Sequence, residues 1–327
     1  MTGAKTSDPP HTFRVGIIGA GLMAGERAAA LRELSGVAVS AIASRSIERA
    51  DRLADEYGAD RYADWRQMLE AGLDGIIVAT PNHVHAEQAI AALEHGKHVL
   101  VEYPLAITMG DVERMFEVAE ASNRVLAAGF NTLYPVRKIA ERARCLGRPI
   151  LAYHDGINQR PDDYGWYLKE SVSGGMIVLW GIEQIASLCH LMGRVRSVSA
   201  FGTDSFFRPD GGHDSYTLAL AFESGASASI QVTINAPATV RTLRIVYEDG
   251  IVDRQGGHPA TIQMAGQEPT QLHLEGPSPT TADTSNWIAA CRGHSSRFPS
   301  REDTLHFHQV AFAARQAAVT GQTVSLS

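Results

Sequence analysis

The sequence predicts an α/β protein of two domains: a parallel sheet covered on both faces, then an α/β domain with an open, mainly antiparallel sheet. Three observations carry this. Continuously apolar strand-like runs alternate with helical patterns through the first third of the chain, as in a parallel sheet packed between helices. Near Phe130 the pattern changes to longer helices, then to alternating runs joined by tight turns. The length of 327 residues favours two domains at roughly 100–200 residues each.

In the first domain the runs Phe13–Ile18, Val37–Ala43, Gly75–Ala79, His98–Val101 and Val125–Ala128 read as strands. Between them, Ala50, Leu53, Ala54 and Tyr57 share one helical face, and Gly58 is a natural stop. Ala86–His95 reads as a helix closed by Gly96. Met109–Ser122 reads as another, entered at Thr108 with Asp111 three residues on, in the manner of a capping box. In the second domain Pro135–Arg144 and Met176–Met192 read as helices. Tyr216–Phe222, Ala226–Asn235 and Val240–Tyr247 read as strands, with Gly225 turning between the first two, and a helix at about Arg301–Val319 closes the chain. The expected division is 1–12 as a loose leader without the apolar core of a signal peptide, 13–128 as the first domain and 129–327 as the second.

Composition narrows the function. There are 36 acidic and 29 basic residues, a net charge of −7, which argues against a nucleic-acid binder. No run of 18 or more apolar residues suggests a membrane span. Cys145, Cys189 and Cys291 are far apart and form no CxxC, so three reduced thiols in a cytoplasmic protein are expected. No HExxH, GxSxG or convincing metal-ligand spacing is present, so no metal is expected.

The turn after the first strand carries the clearest motif. Gly19-Ala20-Gly21-Leu22-Met23-Ala24 is a GxGxxA between a strand and a helix. Gly19 permits the tight turn, Gly21 lets backbone approach a pyrophosphate, and the helix N-terminus through Leu22 and Met23 faces the phosphate charge. The end of the second strand, Ser44-Arg45-Ser46, lacks the carboxylate that would accept from a ribose 2′-hydroxyl. Arg45 suits a 2′-phosphate and Ser44 can hydrogen-bond it, so NADP(H) is the expected cofactor.

Further motifs carry a family resemblance. Thr80-Pro81-Asn82-His83-Val84-His85, the segment Gly96–Leu105 with Glu102-Tyr103-Pro104, Gly129-Phe130-Asn131 and Ser173-Gly174-Gly175 resemble the Gfo/Idh/MocA (glucose–fructose oxidoreductase/inositol dehydrogenase) family. The resemblance implies an N-terminal Rossmann domain and a C-terminal domain whose sheet forms a homodimer or homotetramer interface. It implies a nicotinamide cofactor in the cleft near Thr80, Pro81, Asn82, His85 and Glu102. Three positions depart from the family pattern. Tyr103 replaces the lysine of Glu-Lys-Pro, and alignment from Gly174-Gly175 puts Leu179 and Glu183 at the usual aspartate and histidine. Val-Glu-Tyr-Pro is locally similar to biliverdin reductases, which reduce without the family lysine.

Tyr103 beside the nicotinamide would be an acid or orienter rather than a base, given an ordinary pKa near 10; the alternative is simple packing against the ring. Glu183, the lone ionisable residue between Met176 and Cys189, is either a neutral proton donor or a structural partner of an arginine such as Arg160. Asp155, Asn158 and Arg160 after a strand, with Tyr164 and Trp166 following, are expected to bind substrate or else to pack on their own domain. The reading is an NADPH-dependent reductase of a small molecule: an imine, a conjugated double bond or a ketone. A sugar or cyclitol dehydrogenase with relocated acid–base groups, a redox-neutral lyase or cyclase, and a non-catalytic cofactor-binding protein remain alternatives.

Overall fold

A computed structural model describes residues 12–161, 165–204, 212–256 and 258–326; the expected leader falls outside these, Thr12 excepted. The first sheet is built from β1 (Phe13–Ile18), β2 (Val37–Ala43), β3 (Asp60–Tyr62), β4 (Gly75–Val78), β5 (His98–Glu102) and β6 (Leu126–Gly129). All its pairs are parallel, in the order β3-β2-β1-β4-β5-β6. The chain leaves β1 toward one edge and returns at β4 toward the other, and at that switch the strand ends open into a crevice.

The helices follow from local chemistry. They are α1 (Leu22–Arg32), α2 (Ile47–Tyr57), α3 (Trp65–Leu69), α4 (His85–Glu94) and α5 (Met109–Ala121). Gly58 ends α2 at φ 65°, a left-handed conformation that suits glycine. Thr108 caps α5 by accepting from the Asp111 backbone N–H. The sequence pattern missed β3 and α3, which are too short and polar to show a period.

The second domain holds α6 (Leu133–Ala143), β7 (Pro149–Gln159), α7 (Glu170–Ser173), α8 (Ile182–Met192), β8 (Val195–Thr203), β9 (Ser215–Phe222), β10 (Ser227–Ala236), β11 (Thr242–Tyr247), β12 (Gly250–Gln255), β13 (Ala260–Met264) and β14 (Thr270–Leu272). The chain ends with α9 (Pro279–Cys291), α10 (Arg301–Thr320) and β15 (Val324–Ser325). The sheet order is β14-β13-β12-β11-β7-β10-β9-β8-β15, antiparallel except for β7 beside β10. Gly225 makes the expected turn between β9 and β10. The next expected strand, β11, does not continue that meander. It pairs with β7, which fills the position between β10 and β11. The sequence of β7 does not alternate, so its central place was hidden. Helices α8 and α10 cover one face of this sheet. The helical stretch Glu170–Met192 is long and apolar enough to cross a membrane, and most of it is buried inside the fold as core.

One helix crosses the expected domain division. Although β6 ends at Gly129, α9 returns to the first domain and packs on α1. Trp287 of α9 is fully buried with Phe13 edge-on at 6.2 Å. Gly75 makes room for it: a Cβ there would lie 2.8 Å from the indole.

Candidate active site

A cleft of about 800 Å³ lies over the carboxyl ends of β1, β2, β4 and β5 and reaches the second domain at Trp166, Tyr167, Leu179 and Trp180. This is within the usual range for small-molecule sites. Its nucleotide side starts at the β1–α1 turn. Gly19 has φ +121°, and a Cβ there would lie 2.2 Å from the Ala79 carbonyl oxygen. At Gly21 a Cβ would meet only open space, and no side chain caps the N-terminus of α1. Leu22 is 80 % exposed on the cleft wall. A bare helix N-terminus, a glycine cradle and an uncovered leucine fit a bound pyrophosphate.

Ser44, Arg45 and Ser46 line the cleft at the end of β2, together with Arg49 on the next turn of α2. The Ser44 hydroxyl accepts from the Ser46 backbone N–H at 3.2 Å. Among the described residues Arg45 and Arg49 have no ion-pair partner, whereas nearby Arg66 pairs with Glu87. Arg49 was not singled out in the sequence; its place in the first turn of the helix that follows Ser46 was the available signal.

Thr80, Pro81, Asn82 and His85 all line the cleft. Thr80 donates to Gln88 Oε1 at 2.7 Å, and Asn82 donates across the domains to the Ser173 carbonyl at 2.7 Å. His85 is fully buried, with its ring nitrogens 2.8 Å from Thr80 O and 2.9 Å from Pro104 O. Burial lowers its pKa. Its imidazole therefore joins two cleft loops, and its nitrogens are not turned to the cavity.

Glu102 ends β5 in a buried charge cluster. Its Oε1 accepts from Arg27 Nε at 2.5 Å, and Arg27 also donates to Asp283 at 2.7 Å and Thr284 at 3.0 Å on α9. Burial alone would lower the pKa of Arg27, but Glu102 and Asp283 together raise it. Burial pushes the Glu102 carboxyl up and Arg27 pulls it back. Among the described residues Glu102 Oε2 is buried without a hydrogen-bond partner, and the Glu102 residue borders the cleft.

Tyr103 follows directly and lines the cleft. Its ring stacks on Phe130 at 5.5 Å and 11°, and Phe130 is held edge-on by Phe307 at 5.6 Å. The Glu183 carboxyl lies near the Tyr103 hydroxyl. Burial, then the neighbouring Glu183, raises the tyrosine pKa well above 10, so the phenol stays protonated at neutral pH. Burial also raises the pKa of Glu183, which is 7 % exposed and stands behind Tyr103, outside the cleft wall. The positive charge of Arg241 acts against both shifts. Leu179 and Trp180 reach the cleft from a π-helical turn, Ile177–Gly181, a form often found at functional sites.

The expected substrate ligands divide. Trp166 lines the cleft and packs edge-on against Tyr167 at 4.7 Å. Tyr164 lies outside the described residues. Asp155, Asn158 and Arg160 are not on the cleft wall. Asp155 accepts from the Thr242 backbone N–H at 2.8 Å, and Asn158 Oδ1 accepts from Arg241 at 2.5 Å. Arg160 reaches the Asn235 carbonyl at 3.5 Å. The strand end turns these groups into its own sheet, where they hold the segment that carries Arg241. Nothing in the local sequence around Arg241 signalled that role.

Residues 13–130 match the GFO_IDH_MocA model, described as an oxidoreductase family with an NAD-binding Rossmann fold, and residues 137–253 match the GFO/IDH/MocA C-terminal domain. The chain is 26 % identical to 1,5-anhydro-D-fructose reductase of Ensifer adhaerens, covering 96 % of this chain and 98 % of that protein. It is 27 % identical to myo-inositol 2-dehydrogenase of Thermotoga maritima, covering 65 % and 66 % respectively. Among solved structures, levoglucosan dehydrogenase in complex with NADH superposes with a TM-score of 0.87 at 21 % identity, over 96 % of this chain and 99 % of that one.

Proposed function

The chain belongs to the Gfo/Idh/MocA oxidoreductase family and is an NAD(P)-dependent oxidoreductase of sugars or other small molecules; from this premise we propose that it works as an NADPH-dependent reductase, with Tyr103 as proton donor. One observation carries the reading. Where the Glu-Lys-Pro lysine of the family pattern would stand, the cleft is lined by the phenol of Tyr103, kept protonated, and Leu179 also lines the cleft. A protonated phenol can give a proton to a reduced atom but is poorly suited to take one from a hydroxyl. The acceptor this favours is a ketone, an imine or a conjugated double bond.

When bound, the dinucleotide supplies the hydride. The chain's own residues hold and orient: the N-terminus of α1 takes the pyrophosphate, Arg45 and Arg49 take the 2′-phosphate, and Glu102 Oε2 offers an acceptor. Trp166, Tyr167 and Trp180 exclude water and give a flat substrate an aromatic wall. The name of the reductase relative from Ensifer adhaerens agrees with this direction.

The test is NADPH oxidation against panels of ketones, imines and enones. Turnover is expected with at least one class, and Tyr103→Phe should lower kcat by about 10²–10⁴-fold. An unchanged Tyr103→Phe enzyme would remove the proton-donor role. We also propose that the uncovered face of the second sheet, where Leu151 is 50 % and Phe201 67 % exposed, pairs with a second copy in a homodimer or homotetramer.

A further inference from the structure

A second cavity, of about 390 Å³, shares no wall residue with the cleft. It is walled by α6, the end of α8 and the segment that leads into α10, and its size falls within the range of small-molecule sites. Arg137, Glu141 and Arg144 follow one another at spacings of four and three, so α6 and the turn after it present them on one face. Arg297 and Asp303 reach the same cavity from the other side, and His190 from the end of α8.

The charges on this wall do not cancel. Both carboxylates are engaged: Glu141 accepts from Arg297 at 3.1 Å, and Asp303 closes the capping box of α10 with Ser300. Arg137 and Arg144 are left, and no hydrogen bond or ion pair holds either among the described residues. Arg144 follows the last turn of α6, where a cation answers the helix dipole. Arg137 stands in the middle of that helix and is half-buried, so the dipole does not account for it. Burial lowers its pKa, as expected for a guanidinium partly withdrawn from water.

Leu133, Phe298 and Phe307 make the apolar part of the wall. Phe307 is buried and packed edge-on against Phe130 at 5.6 Å. The Arg297–Glu141 pair and the Ser300 cap tie down the segment opposite α6. The cavity is therefore formed before anything enters it, and little ordering cost falls on binding.

We propose that this cavity is a second binding site, for a small organic dianion: a phosphate monoester or a dicarboxylate that carries an apolar group. The charged head pairs with Arg137 and Arg144, whose planar N–H forks suit phosphate and carboxylate oxygens. The apolar group lies on Leu133, Phe298 and Phe307. The site is independent of the cofactor and of the direction of hydride transfer.

The experiment is isothermal titration calorimetry with two probes, phenyl phosphate and phthalate, each an aromatic dianion near neutral pH. It uses the full chain carrying Arg45→Ala and Arg49→Ala, so that the arginines of the nucleotide cleft cannot hold the probe. Saturable binding of at least one probe, at one per chain, is expected. Tighter binding of phenyl phosphate assigns the head as phosphate, and tighter binding of phthalate assigns it as dicarboxylate; either supports the site. Arg137→Gln and Arg144→Gln should each weaken that binding about tenfold or more. Should Arg137→Gln not fold, Arg144→Gln on its exposed turn carries the test. No saturable binding of either probe, or binding that the substitutions leave unchanged, overturns the proposal.

Discussion

The proposed choice of NADPH rests on Arg45 and Arg49. Among the described residues neither has an ion-pair partner where it lines the cleft after β2, and a guanidinium suits a 2′-phosphate that a carboxylate would repel. Replacing both with alanine should weaken NADPH binding about tenfold or more and leave NADH binding nearly unchanged, as measured by fluorescence titration. Equal binding of the two cofactors by the wild type would contradict the assignment. Glu183 is legible as a charge on an apolar helix, and its burial raises its pKa as that pattern suggests. The arginine contacts were not legible. Arg160 was the arginine in view from the sequence, and it reaches the Asn235 carbonyl on β10, while Asn158 accepts from Arg241 just before β11. Residue pairs closed by sheet register leave no local trace, because the hydrogen bonds that align them run between distant strands.

At the level of elements, the charge cluster of Arg27, Glu102 and Asp283 joins α1, β5 and α9. Arg27→Met would leave two buried carboxylates facing each other without a cation. It should cost about 3–5 kcal/mol in urea unfolding. The turn between β1 and α1 is as demanding: Gly19→Ala meets both a positive φ and the Ala79 carbonyl, so it should lose dinucleotide binding and about 1–3 kcal/mol of stability.

His308 of α10 is also structural. Its Nε2 accepts from the Leu105 N–H at 3.0 Å, its Nδ1 donates to Thr304 O at 2.7 Å, and burial pushes its pKa down to about 4. The unfolded chain, with an ordinary histidine near 6.5, therefore takes up the proton first as pH falls. The stabilisation is whole above about pH 6.5 and is lost progressively toward pH 4, about 3 kcal/mol in all. Denaturation curves across that window should be flatter for His308→Gln than for wild type.

Across the whole molecule, the cleft lies where the two domains meet, joined there by the packing of α10 on α5 and by the Asn82–Ser173 hydrogen bond. The outer face of the second sheet carries Leu151 and Phe201 among small and polar neighbours. Light scattering should report a dimer or tetramer that Leu151→Glu with Phe201→Glu converts to monomer; a monomeric wild type would overturn the assembly proposed above.

By itself the sequence determined the parallel sheet, the phosphate-binding turn, the β9–β10 hairpin and the tyrosine in place of lysine. Each of these is written in contiguous residues: apolar runs, a glycine spacing, a turn between alternating segments. Only the tertiary structure decided that α9 belongs with the first domain, that β7 separates β10 from β11, and that Asp155 and Asn158 serve Arg241 and its strand rather than the cleft. Those outcomes depend on which buried surfaces and strand edges find each other after the chain has folded back, and periodicity records which face of a segment is apolar but not what that face will meet.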